Sequence, residues 1–304
     1  MYGNCELLEK ETKMNCYNLG GHSGCQIHLI EDDDGNVFVR KVSKDNEYNK
    51  RLETQCEKQA TFKSKFIKAP IVYRRGYTEE GLFYFDMEYI QGMTLAEYIK
   101  TMEIGKVKGL VESLVLSLVP EQKELVTEEE KQKAIDIFSN KISELKKCLG
   151  NKEEPVITKA LYLLENHDWS IMKPSLCHGD MTLENIIIKN DCLYYIDFLD
   201  SFYDSWFLDV GTLLQDVQVM WSYRFQNEVS MNTVLRLIVF RDLLLDEINK
   251  IEHSYVIEIY YALLQKMIRI FPYTTDGQTH QFLIQKTEVV IEKIFQLENE
   301  RRKC

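Results

Sequence analysis

The chain lacks the signatures of several protein classes, and each absence narrows what it can be. Its eight cysteines include no Cys-x-x-Cys pair, which argues against a zinc site. No apolar run is long enough to cross a bilayer, because the longest apolar-leaning stretch, residues 109–119, is broken by Glu112. The first twenty residues carry Glu6, Glu9, Lys10, Glu11 and Lys13 with no apolar core. No secretion signal is therefore visible, and the cysteines read as reduced thiols of a cytoplasmic protein with no membrane partner. Positive charge is short as well: 37 Lys and Arg stand against 48 Asp and Glu, a net charge of −11. That balance weighs against nucleic acid as a partner. There is no internal repeat or low-complexity linker. What is left is an ordinary globular composition, 45% hydrophobic and 28% charged over 304 residues, with chain enough for one large core or two smaller ones.

One segment carries chemistry. Residues 178–185 read His-Gly-Asp-Met-Thr-Leu-Glu-Asn, and twelve positions past Asn185 an apolar stretch ends in Ile196-Asp197-Phe198. A His-x-Asp-x-x-x-x-Asn run followed by a strand and Asp-Phe is the kinase arrangement of catalytic loop and metal loop. In that arrangement Asp180 orients an acceptor hydroxyl and takes its proton, while Asn185 and Asp197 hold the magnesium that bridges phosphate oxygens of ATP. Residues 186–188 and 193–196 read as two short strands around a Lys189-Asn190-Asp191 turn. Such a hairpin predicts Asn185 and Asp197 side by side. The bland alternative is that Asp180 and Asn185 cap a turn and Asp197 merely ends a strand.

The first ninety residues read as strands around one helix. Residues 25–31 and 36–42 are β-rich and joined by Asp32-Asp33-Asp34-Gly35, a turn-forming run. Before them lies Asn18-Leu19-Gly20-Gly21-His22-Ser23-Gly24, a loop whose glycines, Gly20 and Gly21 above all, let backbone amides approach phosphates. Strand alternation over Val37-Phe38-Val39-Arg40-Lys41 puts Val39 and Lys41 on one face, so Lys41 reaches phosphates while Val39 covers the adenine. Arg40 takes that part if the strand faces the other way. Residues 47–66 read as a helix on which Glu53 or Glu57, four apart, pairs with Lys41, with Glu57 preferred. Residues 71–77 and 82–89 form a second hairpin. It runs into Met87-Glu88-Tyr89-Ile90, which resembles a kinase hinge where backbone groups of Glu88 and Ile90 read the adenine.

From Thr94 onward the period is helical, with helices predicted over 95–101, 127–148, 155–167, 208–223, 231–252, 255–271 and 282–302. The expected architecture is α+β: a β-rich nucleotide-binding lobe over 1–90, and a mainly helical lobe over 91–304 for catalysis and acceptor binding.

The order of motifs, from about Gly20 to Asp209, resembles the aminoglycoside phosphotransferase and choline kinase family, the small-molecule branch of the protein-kinase-like fold. The resemblance implies a two-lobed fold and ATP with magnesium as cofactors. It implies Asp180 as base, Asn185 and Asp197 as metal ligands, and Asp209 as a brace for the catalytic loop. Two positions depart from protein kinases: Gly179 replaces an arginine, and Leu199 replaces the glycine after Asp-Phe. Only twelve positions separate Asp197 from Asp209, which leaves no room for an activation loop. A small-molecule hydroxyl is thus the expected acceptor. Asp200, Asp204 and Trp206 are its candidate contacts, with Asp216, Trp221 and Tyr223 behind them. The acceptor could be an amino-sugar, a sugar or an amino-alcohol. The competing readings are a nucleotide-binding regulatory pseudoenzyme and a protein kinase.

Overall fold

In the computed structural model of the chain, residues 15–19, 24–120, 126–150, 154–226 and 228–303 are described. They divide into two compact units, one of Met1–Met93 with Asn185–Asp200 and the other of Thr94–Glu184 with Ser201–Cys304. This corrects the expected boundary at residue 90 and the expected continuity of the second lobe. The 185–200 hairpin belongs to the first unit because its strands pair there and not among the helices.

The first unit is built on strands β1 (Asn15–Leu19), β2 (Gln26–Glu31) and β3 (Val37–Val42), helix α1 (Asn49–Thr61), and strands β4 (Ile67–Lys68), β5 (Val72–Tyr77) and β6 (Phe83–Glu88). Five of the strands form an antiparallel sheet in the order β1-β2-β3-β6-β5. The β2–β3 turn closes as its composition predicts: the Asp32 carboxylate accepts from the amides of Asp34 and Asn36, and Gly35 takes φ +77°. β1 was not expected. It absorbs Asn18 and Leu19, assigned above to the glycine-rich loop, while Gly20 and Gly21 lie outside the described residues.

Side chains alternate across β3. Arg40 turns to the face opposite Lys41 and makes a two-pronged pair with Asp86 at 2.7 and 2.9 Å, and Arg74 donates to the same carboxylate. Helix α1 presents Leu52, Gln55, Cys56 and Gln59 inward, the i, i+3, i+4, i+7 stripe of a helix packed on one side. Its start is fastened by Asn49, whose side chain donates to the Gly81 carbonyl and accepts from the Phe83 amide, both at 2.8 Å.

A second sheet, in the order β4-β9-β8-β7, comprises β7 (Met93–Thr94), β8 (Ile186–Lys189) and β9 (Cys192–Tyr195) besides β4. The β8–β9 hairpin turns through Asn190 and Asp191, at φ 49° and 59°. A two-residue loop with both central φ values positive matches the right-handed twist of its strands. Gly92 runs so close to this hairpin that a Cβ there would sit 2.4 Å from the Ile188 carbonyl oxygen.

The second unit is helical: α2 (Leu95–Thr101), α3 (Val107–Leu118), α4 (Glu128–Leu149), α5 (Pro155–Glu165), α6 (Trp206–Val217), α7 (Met231–Ile251), α8 (Tyr255–Ile268) and α9 (Gly277–Arg301). Caps match the sequence signals, with a Thr127–Glu130 capping box on α4 and Pro155 in the first turn of α5. Every residue of α6 is buried. It approaches α8 where Gly211 faces Ala262, and a Cβ on Gly211 would stand only 3.0 Å from the Ala262 Cβ. Among the described residues no helix is long and apolar enough to cross a membrane.

Candidate active site

The first unit brings together the residues expected of a metal loop. Asn185 and Ile196 extend the β8–β9 ladder by one bond, Ile196 N–H to the Asn185 carbonyl at 3.0 Å. Asn185 and Asp197 therefore stand at the open end of one hairpin. Asp197 sits at φ 61°, a left-handed conformation that Asp tolerates better than most residues. The Lys41 ammonium lies on the Asp197 carboxylate. The segment after it is clasped by α1: Lys58 donates to the Leu199 carbonyl at 2.9 Å, and the Phe62 ring meets Phe198 at 5.3 Å between centroids.

The residues present fit a magnesium ion. A carboxylate and an amide oxygen donor flank one hairpin mouth, and that carboxylate already accepts a cation in the form of the Lys41 ammonium. Magnesium is commonly held by one or two carboxylates plus substrate phosphates rather than by a full protein cage.

The expected pairing of Lys41 with Glu57 or Glu53 is corrected. Glu57 pairs with Arg75 at 2.8 Å, and Glu53 accepts from the Tyr77 hydroxyl. Lys41 instead donates to the Gln55 side-chain carbonyl at 3.2 Å. Helical geometry explains the miss. Positions 53 and 57 fall on the solvent side of α1, whereas 52, 55, 56 and 59 form the buried stripe. A charged partner was expected there, and the residue on the inward face is the neutral Gln55.

The segment expected as a hinge begins at the end of β6. The Glu88 amide donates to the Ile71 carbonyl at 2.8 Å, and Ile90 is buried.

The second unit builds the loop that carries Asp180. Asp209, fully buried on α6, accepts from the amides of His178 at 2.6 Å and Gly179 at 2.8 Å. Burial pushes its carboxyl pKa up, against the opposing pull of His178, the two amides and Lys266. Gly179 takes φ +94°, a region that L side chains rarely adopt, and this accounts for a glycine where protein kinases carry arginine. The Lys266 ammonium from α8 donates to the Gly179 carbonyl at 3.0 Å. Burial pulls the Lys266 pKa down, while Asp180 and Asp209 push back.

One turn further on, the Leu183 amide donates to Asp216 at 2.6 Å, and Ser222 donates to the same carboxylate through its amide and hydroxyl. Burial raises the Asp216 pKa to about 6 despite these bonds. The same contacts end the helix expected over 208–223: α6 stops at Val217, Met220 turns at φ 65°, and a short 3-10 turn follows.

The acceptor candidates separate. Trp206, expected as an acceptor contact, is 2% exposed; it stacks on Phe207 at 4.0 Å and meets Tyr255 edge-on. Its ring is core, because α6 starts at this residue with all sides covered. Tyr223 is likewise buried, with its hydroxyl on the Ala96 carbonyl. Asp200 and Asp204 are half-buried, and Asp204 accepts from the Cys177 thiol at 3.2 Å. Gln55, Lys58 and Lys266 were missed altogether. No local sequence signal marks them, since each acts across an element distant in the chain.

No family model matches the sequence, and no curated protein does. Solved structures do match. The aminoglycoside phosphotransferase APH(4)-Ia, as a thermostable mutant with AMP-PNP and hygromycin B bound, superimposes with a TM-score of 0.61 at 13% identity, covering 94% of this chain and 95% of that one. The chain has the fold of the small-molecule kinases. A Haemophilus somnus 129PT protein described as a fructosamine-3-kinase matches at TM-score 0.56 and 16% identity, over 95% and 94% of the two chains. A mutant of aminoglycoside 2′-phosphotransferase-IIIa in complex with GDP matches at 0.57 and 15%, over 94% and 92%. At these identities the likeness carries the fold, and what the side chains do must be argued from the side chains themselves.

Proposed function

We propose that the chain is an ATP- and magnesium-dependent phosphotransferase that moves the γ-phosphoryl group to a hydroxyl of a small molecule, an amino-sugar, a sugar or an amino-alcohol. The observation that carries this reading is the hairpin that sets Asn185 and Asp197 at one mouth, with the buried Lys41 ammonium on Asp197. A strand lysine, an amide and a carboxylate so arranged have an evident use in holding a metal–triphosphate. The fold likeness to proteins crystallised with AMP-PNP, ADP and GDP supports the nucleotide part.

On this reading Lys41 binds phosphate oxygens, and Gly20 and Gly21 offer amides to them. The Glu88 carbonyl and the Ile90 amide orient the adenine, since the Glu88 amide is already engaged by Ile71. Asn185 and Asp197 would hold magnesium, which when bound neutralises charge on the phosphates. Asp180 orients the acceptor hydroxyl and takes its proton, and Asp209 holds the peptides that precede it. Asp200 and Asp204 are the remaining acceptor contacts; their carboxylates suit an ammonium-bearing acceptor. Only seven residues lie between Ser201 and Asp209, too few for a peptide-docking platform, which favours a small acceptor over a protein. The scattered cysteines suit a cytoplasmic setting.

The test is magnesium-dependent ADP release across pools of aminoglycosides, amino-alcohols, sugars and nucleosides, with Asp180→Ala as control. A pool that turns over with wild type, and is slowed about 10²–10⁴-fold by the substitution as loss of a general base should be, supports the reading. Undiminished turnover in that variant sinks it.

A further inference from the structure

Kinases commonly oppose the strand lysine with a glutamate from the neighbouring helix. Here that place is held by Gln55, a neutral amide. Lys41 is only 2% exposed, so its ammonium is cut off from water and needs a negative partner. Among the described residues the carboxylate in contact with it is that of Asp197. Gln55 offers a carbonyl dipole at 3.2 Å, and its amide nitrogen donates to the Tyr48 hydroxyl. Glu53 and Glu57, the nearby acids of α1, are engaged by Tyr77 and Arg75 on the other side of the helix. One carboxylate thus serves two cations.

The consequence is a charge balance that single ligands upset. Metal arriving alone would displace a buried ammonium that, among the described residues, has no second carboxylate in contact. Nucleotide arriving alone would draw Lys41 to its phosphates and leave Asp197 facing them with like charge. Arriving together, the phosphates take Lys41 and Asp197 takes the metal.

Resting on the phosphotransferase reading above, we propose that Lys41 and the metal compete for Asp197, and that Gln55 makes them do so. It couples metal and nucleotide uptake more tightly than a carboxylate at that position would. Gln55 acts through Lys41 and is a positioning residue.

The test is binding of manganese, a paramagnetic stand-in for magnesium, to the full chain. The free ion is followed by electron paramagnetic resonance with and without AMP-PNP. Wild type should take up manganese weakly alone and more tightly with nucleotide. Lys41→Met removes the competing cation, and Gln55→Glu gives it somewhere else to go. Each should raise nucleotide-free manganese affinity by about tenfold or more, the scale of one close charge pair near a protein surface. The gain must vanish when Asp197→Asn is added, which excludes the newly introduced carboxylate as the metal's own ligand.

Unchanged nucleotide-free affinity in both variants overturns the proposal. If Lys41→Met does not fold, as judged by its melting transition, unchanged affinity in Gln55→Glu alone overturns it. Wild type that takes up no manganese even with AMP-PNP is a different failure; it defeats the nucleotide reading and the coupling with it.

Discussion

The two loops that carry the candidate residues, each within its own unit, are held by different mixes of contact. In the first unit the loop bearing Asp197 is tied largely through its own side chains, Lys41 on the Asp197 carboxylate and Phe62 on Phe198, with one backbone tie from Lys58 to the Leu199 carbonyl. In the second unit the loop bearing Asp180 is tied through its backbone. Asp209 takes two amides, Lys266 a carbonyl and Asp216 a third amide. Backbone anchoring fixes where Asp180 stands through the peptides beside it. Side-chain anchoring uses the functional groups themselves, so it must be remade when a ligand arrives. On the proposed reading, the loop carrying the base is preset and the loop carrying the metal ligands is responsive.

This contrast can be broken by substitution. The largest effect is expected at Asp180, where removal of the carboxylate slows transfer about 10²–10⁴-fold and leaves Mg-AMP-PNP affinity within about twofold, as calorimetry would show. Asp209→Ala should strike stability as well, because two buried amides lose their acceptor. A loss of about 2–5 kcal/mol in urea unfolding is expected. Lys41→Met, by contrast, leaves unpaired a carboxylate that is 36% exposed and so reaches water, and should cost less than Asp209→Ala, about 1 kcal/mol. Equal losses in the two variants would erase the distinction between preset and responsive halves.

Asp216 provides a pH test. Its folded pKa of about 6 lies above the ordinary value, so the folded state disfavours the charged form. The resulting cost is fully present above pH 6, and is relieved as pH falls through 6 toward the unfolded value near 4. Relative to Asp216→Asn, which cannot titrate, wild type should gain up to about 3 kcal/mol across that window. Chemical denaturation at pH 4.5 and pH 7 measures it, and a parallel pH response in both proteins would contradict the assignment. At Gly179, Ala in the φ +94° conformation should cost about 1–2 kcal/mol, read as a drop in melting temperature.

What the sequence made legible follows the same division. The β8–β9 hairpin could be read because an isoleucine run, an Asn-Asp turn and a Leu-Tyr-Tyr-Ile run are all local signals. Asp209 was visible through its resemblance to a known brace. Gln55 was invisible for a physical reason: a neutral amide becomes a lysine partner only once α1 is laid against β3. The break after Val217 was hidden too, since Asp216 ends the helix by binding Ser222 and the distant Leu183 amide. Trp206 misled because an aromatic beside a reactive loop looks the same in sequence whether it stacks on a substrate or on Phe207. β1 escaped because Asn-Cys-Tyr-Asn-Leu has little strand character until β2 pairs with it.

The most direct test of the central claim is to follow radiolabelled γ-phosphate from ATP in the presence of magnesium and a pooled set of small hydroxyl compounds. The account predicts label on a small molecule, with none of that product from Asp180→Ala. Label found only on protein, or only as inorganic phosphate whatever the pool, would contradict it.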